Sequence, residues 1–206
     1  MEPPPRLLAL SPGDGRPLGP WLNALAAAGW PAVLLREKAD LDEAWRPAAA
    51  RAAALGLQII VHADNPGARA DPGGWPLHLP AGGPHHPAAW GRSCHSAAAL
   101  DRAFAEGARY ALLSPIWAPG SKPGDARPPL GPAALISAAA GRPVLALGGV
   151  DAARLGQLAA AGAWGAAVLG ALATPDPGPA AVALRAAWRA AGGPSPPTPR
   201  PSADEG

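Results

Sequence analysis

Eight short β-like runs recur along this chain, and most are separated by Ala/Leu-rich stretches with helical periodicity. The runs fall at 7–11, 32–36, 58–62, 76–79, 91–93, 110–114, 143–147 and 166–169. Most are rich in Leu, Val, Ile and Ala without strict polar alternation, whereas 91–93 is Gly-Arg-Ser. That is the pattern of strands buried on both faces, as parallel strands covered by helices are. Helices are predicted at 20–28, 41–55, 96–106, 132–140, 151–161 and 179–191. Several close on Gly, as in "AAAGW", "AEGAR" and "AAAGA", because Gly adopts the left-handed conformation that ends a helix. Eight such units in a chain of 206 residues predict a single-domain (β/α)8 TIM barrel, with an open doubly wound sheet as the alternative.

Two connections break the alternation. "ADNPGARADPGG" follows the third run and "PAGGPHHPAAW" the fourth, and both are too rich in Pro and Gly to hold a full helix. Helices 3 and 4 of the barrel are therefore expected to be degraded or replaced by loops. The barrel is expected over 6–191. The remainder, "GGPSPPTPRPSADEG" at 192–206, is Pro/Ser-rich without apolar periodicity and is expected as a disordered tail.

Charge and cysteine usage narrow the function classes. The net charge is +2 and the arginines are scattered without a basic run, so nucleic-acid binding is not expected. The one cysteine, Cys94, excludes a disulfide framework and a cysteine-based zinc site, and it reads as a small core residue in a reduced compartment. The apolar run at 7–10 is too short for a signal peptide or a membrane span. The expectation is a cytoplasmic protein with no membrane or nucleic-acid partner. A homo-oligomer is compatible with the sequence.

In a (β/α)8 barrel, binding and catalytic groups gather at the C-terminal ends of the strands. Run two ends in Arg36-Glu37-Lys38, where alternation puts Arg36 and Lys38 on one face. Two cations there suit a phosphate or diphosphate, or else form a solvated cluster ahead of the next helix. Run three ends in His62 with Asp64 beyond it. His62 reads as an acid/base group or phosphate donor, or as a polar residue at an element boundary. His78, between two leucines in run four, is expected to face the interior and to be held there by a hydrogen bond. Ser93 lies at the tip of run five, and Ser96 is the better cap for the helix that follows. After run six, "PIWAPGSKPGDARPPLG" is a long loop carrying Ser121 and Lys122, with Lys122 a candidate third phosphate cation. The chain has only two lysines, Lys38 and Lys122, and both sit just past predicted strand ends. Gly148-Gly149 after run seven and Gly170 after run eight sit where barrels often bind phosphate on backbone N–H groups.

In this order, "LLREK", "IIVHAD", "PLHLPAG", "GRSCHS", "ALLSPIWAPGSKPG", "PVLALGGV" and "GAWGAAVLGAL" resemble the thiamine phosphate synthase/TenI family, over roughly 7–172. The resemblance implies a barrel acting on a small-molecule phosphate ester: thiazole phosphate, thiamine phosphate or a pyrimidine diphosphate. By it, Arg36, Lys38 and Lys122 match diphosphate-binding positions, Ser93 a substrate-contacting serine, Ser121 part of the loop before the lysine, and Gly149 and Gly170 the loops that hold thiazole phosphate. Synthases of the family use Mg2+ held by carboxylates after strands three and four. At those places this chain has His62-Ala63 and Gly82-Gly83, so no metal ligand is assigned unless Asp64 or Asp71 substitutes. The metal-free TenI branch uses an acid/base histidine after strand six, where this chain has Pro115, and His62 is the candidate replacement. The resulting expectation is a TenI-like, metal-independent enzyme or binder. The alternatives are a divergent Mg2+-dependent synthase and a non-catalytic sensor of a phosphate ester.

Overall fold

A computed structural model describes residues 3–37, 45–87, 89–118 and 127–194. Its strands are β1 (Leu7–Leu10), β2 (Ala32–Leu35), β3 (Gln58–His62), β4 (Leu77–Leu79), β5 (Ala89–Cys94), β6 (Tyr110–Leu113), β7 (Val144–Ala146) and β8 (Gly165–Val168). They pair in sequence order, all parallel, and β8 closes on β1. The expected (β/α)8 barrel is therefore the fold, and the open sheet is excluded. The helices are α1 (Leu18–Ala27), α2 (Trp45–Ala54), α3 (Ala97–Ala105), α4 (Gly131–Ala139), α5 (Ala152–Ala160) and α6 (Gly178–Ala190). None stands between β3 and β4 or between β4 and β5 among the described residues, as the Pro/Gly content of those connections requires.

The barrel has two apolar layers. Leu8, Leu10, Ala32, Leu34, Ile60 and their neighbours fill its interior, while the alternate residues of each strand pack outward against the helices with Trp21, Trp45 and Trp188. This double burial is why the strands lack polar alternation. Cys94 lies in the outer layer, fully buried, and burial pushes its thiol up to about 11, so it is the inert core residue that its setting suggested. Ser96 caps α3, its Oγ accepting the Ala99 N–H at 3.2 Å.

Two seams need glycine. A Cβ on Gly165 would lie 1.9 Å from the Arg6 carbonyl oxygen, at the point where β8 closes on β1. A Cβ on Gly91 would lie 2.2 Å from the Tyr110 ring, so only glycine lets that ring into the barrel interior. Between β4 and β5 the register shifts at Leu77/His78, so that His78 pairs with Gly91 and Leu79 with Arg92. That irregularity sets which β5 side chains face inward.

Candidate ligand site at the barrel mouth

The described mouth is richest in chemistry at the ends of β2 to β6. Strand β2 ends at Leu35, so Arg36 is the first residue past it, half-buried, with its backbone N–H donating to Ser11 Oγ at 2.7 Å. Glu37 is not solvated: it is 3% exposed, and its Oε1 has no hydrogen-bond partner among the described residues. Its backbone N–H donates to Asn65 Oδ1 at 2.9 Å, and Asn65 Nδ2 donates to the Leu35 carbonyl at 3.0 Å, which ties the end of β2 to the turn after β3. Burial pushes the Glu37 carboxyl up. A hydrogen bond from Ser11 pulls it down, and the Asp14 carboxylate adds to the rise.

His62 ends β3 and faces inward, 4% exposed. Burial holds its pKa down to about 4. The Asp64 carboxylate works against that, and the Arg36 and Arg69 guanidiniums add to it. The imidazole is therefore neutral, and its contact with Asp64 (3.6 Å from Nδ1 to Oδ2) is not an ion pair. Nδ1 accepts the Asp64 backbone N–H at 3.2 Å, so the ring proton sits on Nε2.

His78 is fully buried in the interior, as expected, and bonds on both sides: Nδ1 to Tyr110 Oη at 2.8 Å and Nε2 to Ser93 Oγ at 2.9 Å. Burial first, then the His62 ring beside it and the Arg36 and Arg92 guanidiniums, which all oppose a proton on it, push its pKa down and keep it neutral. Its ring lies 5.7 Å from that of His62 and 5.5 Å from that of Tyr110. Ser93 is the penultimate residue of β5 rather than its tip, because the strand runs on to Cys94, and it remains partly open to the mouth. Arg36, His62, His78 and Ser93 thus form one cluster. Tyr110 is the member that sequence reasoning missed. It read as a strand residue, and its role depends on a partner 32 positions away.

The glycine loops differ from expectation. Gly148 and Gly149 have φ of +100° and +65° and pack on the loop after β6, where a Cβ on Gly149 would lie 2.8 Å from Trp117 Cβ. They do not open α5. Asp151 does, its Oδ1 accepting the Arg154 N–H at 2.8 Å, so a carboxylate already occupies the helix N-terminus where an anion was expected. Arg154, which the sequence had not singled out, donates from Nη1 to the Gly149 carbonyl at 2.6 Å and stacks over Trp117. Gly170 starts a single 3-10 turn, Gly170–Leu172, with open space where a Cβ would point. Lys38, Ser121 and Lys122 lie outside the described residues, so the cation pair past β2 and the third cation after β6 stay sequence expectations.

Mg2+ takes oxygen ligands, chiefly carboxylates. Asp71 is occupied by Arg46 at 3.1 Å and by the Gly73 N–H at 2.8 Å. Asp64 stands beside His62, with Arg69 at 3.9 Å. Among the described residues no three metal-ligating side chains come together. The donor set around β3 and β4 does not fit Mg2+.

A family model described as thiamine monophosphate synthase matches residues 85–172. This chain resembles the thiamine phosphate synthase/TenI family. The match covers the C-terminal part of the barrel, less of the chain than the motif order alone suggested. A thiamine-phosphate synthase of Methanoculleus marisnigri is 51% identical over 84 residues, 40% of this chain and 39% of that protein. One of Mycolicibacterium smegmatis is 41% identical over 107 residues, 50% of this chain and 46% of the relative. The chain thus spans under half the length of these two relatives. The fold match is wider. A thiamine phosphate pyrophosphorylase from Pyrococcus furiosus superposes with a TM-score of 0.75 at 18% identity, over 91% of this chain and 97% of that one.

Proposed function

We infer that the barrel mouth binds a thiazole phosphate or thiamine phosphate-type ligand and that the chain acts on it in the TenI manner, without a resident metal ion. The observation that carries this reading is the pairing of a neutral, buried His62 with a mouth whose described carboxylates do not fit Mg2+. Arg36, together with Lys38, Lys122 and the Gly170 loop, supplies the anion-binding part. His62, with Nδ1 occupied by the Asp64 N–H, offers Nε2–H to the ligand. A neutral imidazole in that tautomer polarises an oxygen or ring nitrogen without adding charge, which suits a proton shift in a heterocycle better than departure of a diphosphate. Ser93 orients the ligand beside it.

The Mg2+-dependent synthase is the second reading, favoured by the family-model match at 85–172 and the similarity to thiamine-phosphate synthases. Incubation with hydroxymethylpyrimidine diphosphate and thiazole phosphate, with and without Mg2+, separates the two. Metal-dependent thiamine phosphate would replace our reading with the synthase. Metal-independent thiazole tautomerisation supports it, and His62→Ala is then expected to lower the rate about 100-fold or more. Full turnover in that variant would remove His62 from the reaction. Thermal stabilisation by thiazole phosphate without either turnover would mark a binder or sensor.

A further inference from the structure

Tyr110, His78 and Ser93 form a line through the barrel interior, from the floor of β6 across β4 to the mouth end of β5, with two links of 2.8 and 2.9 Å. Each link could run either way, but the burial pattern selects one direction. The Tyr110 side chain is fully buried, and its hydroxyl meets no acceptor other than His78 Nδ1 among the described residues. Were His78 protonated on Nδ1, it would donate to the Tyr110 oxygen, and the phenolic hydrogen would be stranded in an apolar interior lined by Trp90, Leu112 and Ile60. With Tyr110 donating to Nδ1, the His78 proton must sit on Nε2, and that N–H donates to Ser93 Oγ. The serine hydrogen is then committed to nothing inside the barrel. The arrangement is held sterically. Gly91 leaves the space the Tyr110 ring occupies, Trp90 meets that ring edge-on at 5.6 Å, and the His62 ring lies against His78.

We propose that Tyr110, His78 and Ser93 are a one-way hydrogen-bond relay that keeps the Ser93 hydroxyl hydrogen pointed into the mouth, so that this subsite selects a ligand atom that accepts a hydrogen bond. A phosphate or carboxylate oxygen qualifies, as does an unprotonated ring nitrogen. An amino group or a protonated ring nitrogen meets only the remaining Ser93 lone pair and leaves the hydroxyl hydrogen to solvent, which is the poorer match. His78 and Tyr110 are positioning residues acting through Ser93. The ligand side of this proposal rests on the reading of the mouth as a phosphate-ester site, whereas the direction of the relay does not.

Long-range proton–nitrogen correlation spectra of the 15N-labelled full chain at pH 7.5, without ligand, read the direction. His78, assigned by loss of its signals in His78→Gln, is expected to carry its proton on Nε2 with a bare Nδ1. A proton on Nδ1, or an imidazolium, overturns the relay. Calorimetric binding of thiamine monophosphate then tests the consequence. Ser93→Ala and Tyr110→Phe should each weaken binding ~3- to 10-fold, the range of one hydrogen bond. The double variant should be no weaker than Ser93→Ala alone, and Ser93→Thr should retain most of the affinity. Wild-type affinity in Tyr110→Phe beside a loss in Ser93→Ala would sink the relay. If the wild type does not bind thiamine monophosphate, the functional reading fails, and the tautomer spectrum still decides the relay. It also decides if Tyr110→Phe does not fold.

Discussion

The two halves of this barrel divide the work unequally. Strands β1 to β4 and their ends carry Arg36, Glu37, His62 and His78, but among the described residues helices follow only two of the four strands. Strands β5 to β8 each have a helix after them, β7 and β8 are followed by glycines, and the segment that the family model matches runs through all four. Yet the superposition on the Pyrococcus furiosus protein covers 91% of the chain. A barrel strand needs only buried apolar residues in the right number, which many sequences supply. A recognition loop needs particular groups, and the family model matches residues 85–172. The difference teaches that fold and chemistry are specified by separate residues, even within one strand.

The comparison can be broken at the seam. Gly165→Ala would press a methyl group into the Arg6 backbone where the C-terminal half closes on the N-terminal one. Neither backbone can turn aside as a side chain can, so urea unfolding is expected to show a loss of about 3 kcal/mol or more. A loss below ~1 kcal/mol would mean that the closing strands are loosely held.

Acid tests the N-terminal half alone. His62 has its folded pKa lowered to about 4, against 6.5 in the unfolded chain, and His78 is lowered as well. The unfolded state therefore binds more protons between those values. Stability is fully present above pH 6.5 and is lost as pH falls through the folded pKa, by on the order of 3 kcal/mol for His62. Urea midpoints taken from pH 7.5 to 4.5 should fall accordingly. His62→Gln should flatten the curve, and an unchanged slope in that variant would show that the loss arises elsewhere.

Glu37 has the opposite sign. Its folded pKa is raised, so its protonated form is favoured, and stability is lost as pH rises from the ordinary carboxyl range through the raised value. Glu37→Gln removes the buried charge and should stabilise the protein at pH 8 by about 1 kcal/mol while changing little at pH 4. Destabilisation at pH 8 would mean that the Ser11 hydrogen bond to the carboxylate outweighs the cost of burying its charge. The smallest effect belongs to the C-terminal half. Asp151→Ala removes the cap of α5 and should cost about 1 kcal/mol. A larger cost would show that Asp151 also holds Arg154 against the Gly149 carbonyl.

Much of this was legible in the chain. The eight strands fall where the β-like runs do, the two missing helices where Pro and Gly gather, and His78, Cys94 and the Ser96 cap are where local chemistry put them. Gly148-Gly149 reads in the sequence as an anion-binding turn, and the sequence does not show that the Asp151 carboxylate caps the helix that follows.

The sequence by itself determined the barrel, since periodicity and helix punctuation are properties of neighbouring residues. The tertiary structure alone decided the partners. Tyr110 reaches His78 because the register shifts between β4 and β5, and Gly91 clears the space for its ring. Glu37 is buried because the turn after β3, through Asn65, folds over the end of β2. His62 is neutral because burial outweighs the carboxylate beside it. Each of these depends on residues far apart in sequence, and such distances are fixed only when the strands take their places around the barrel.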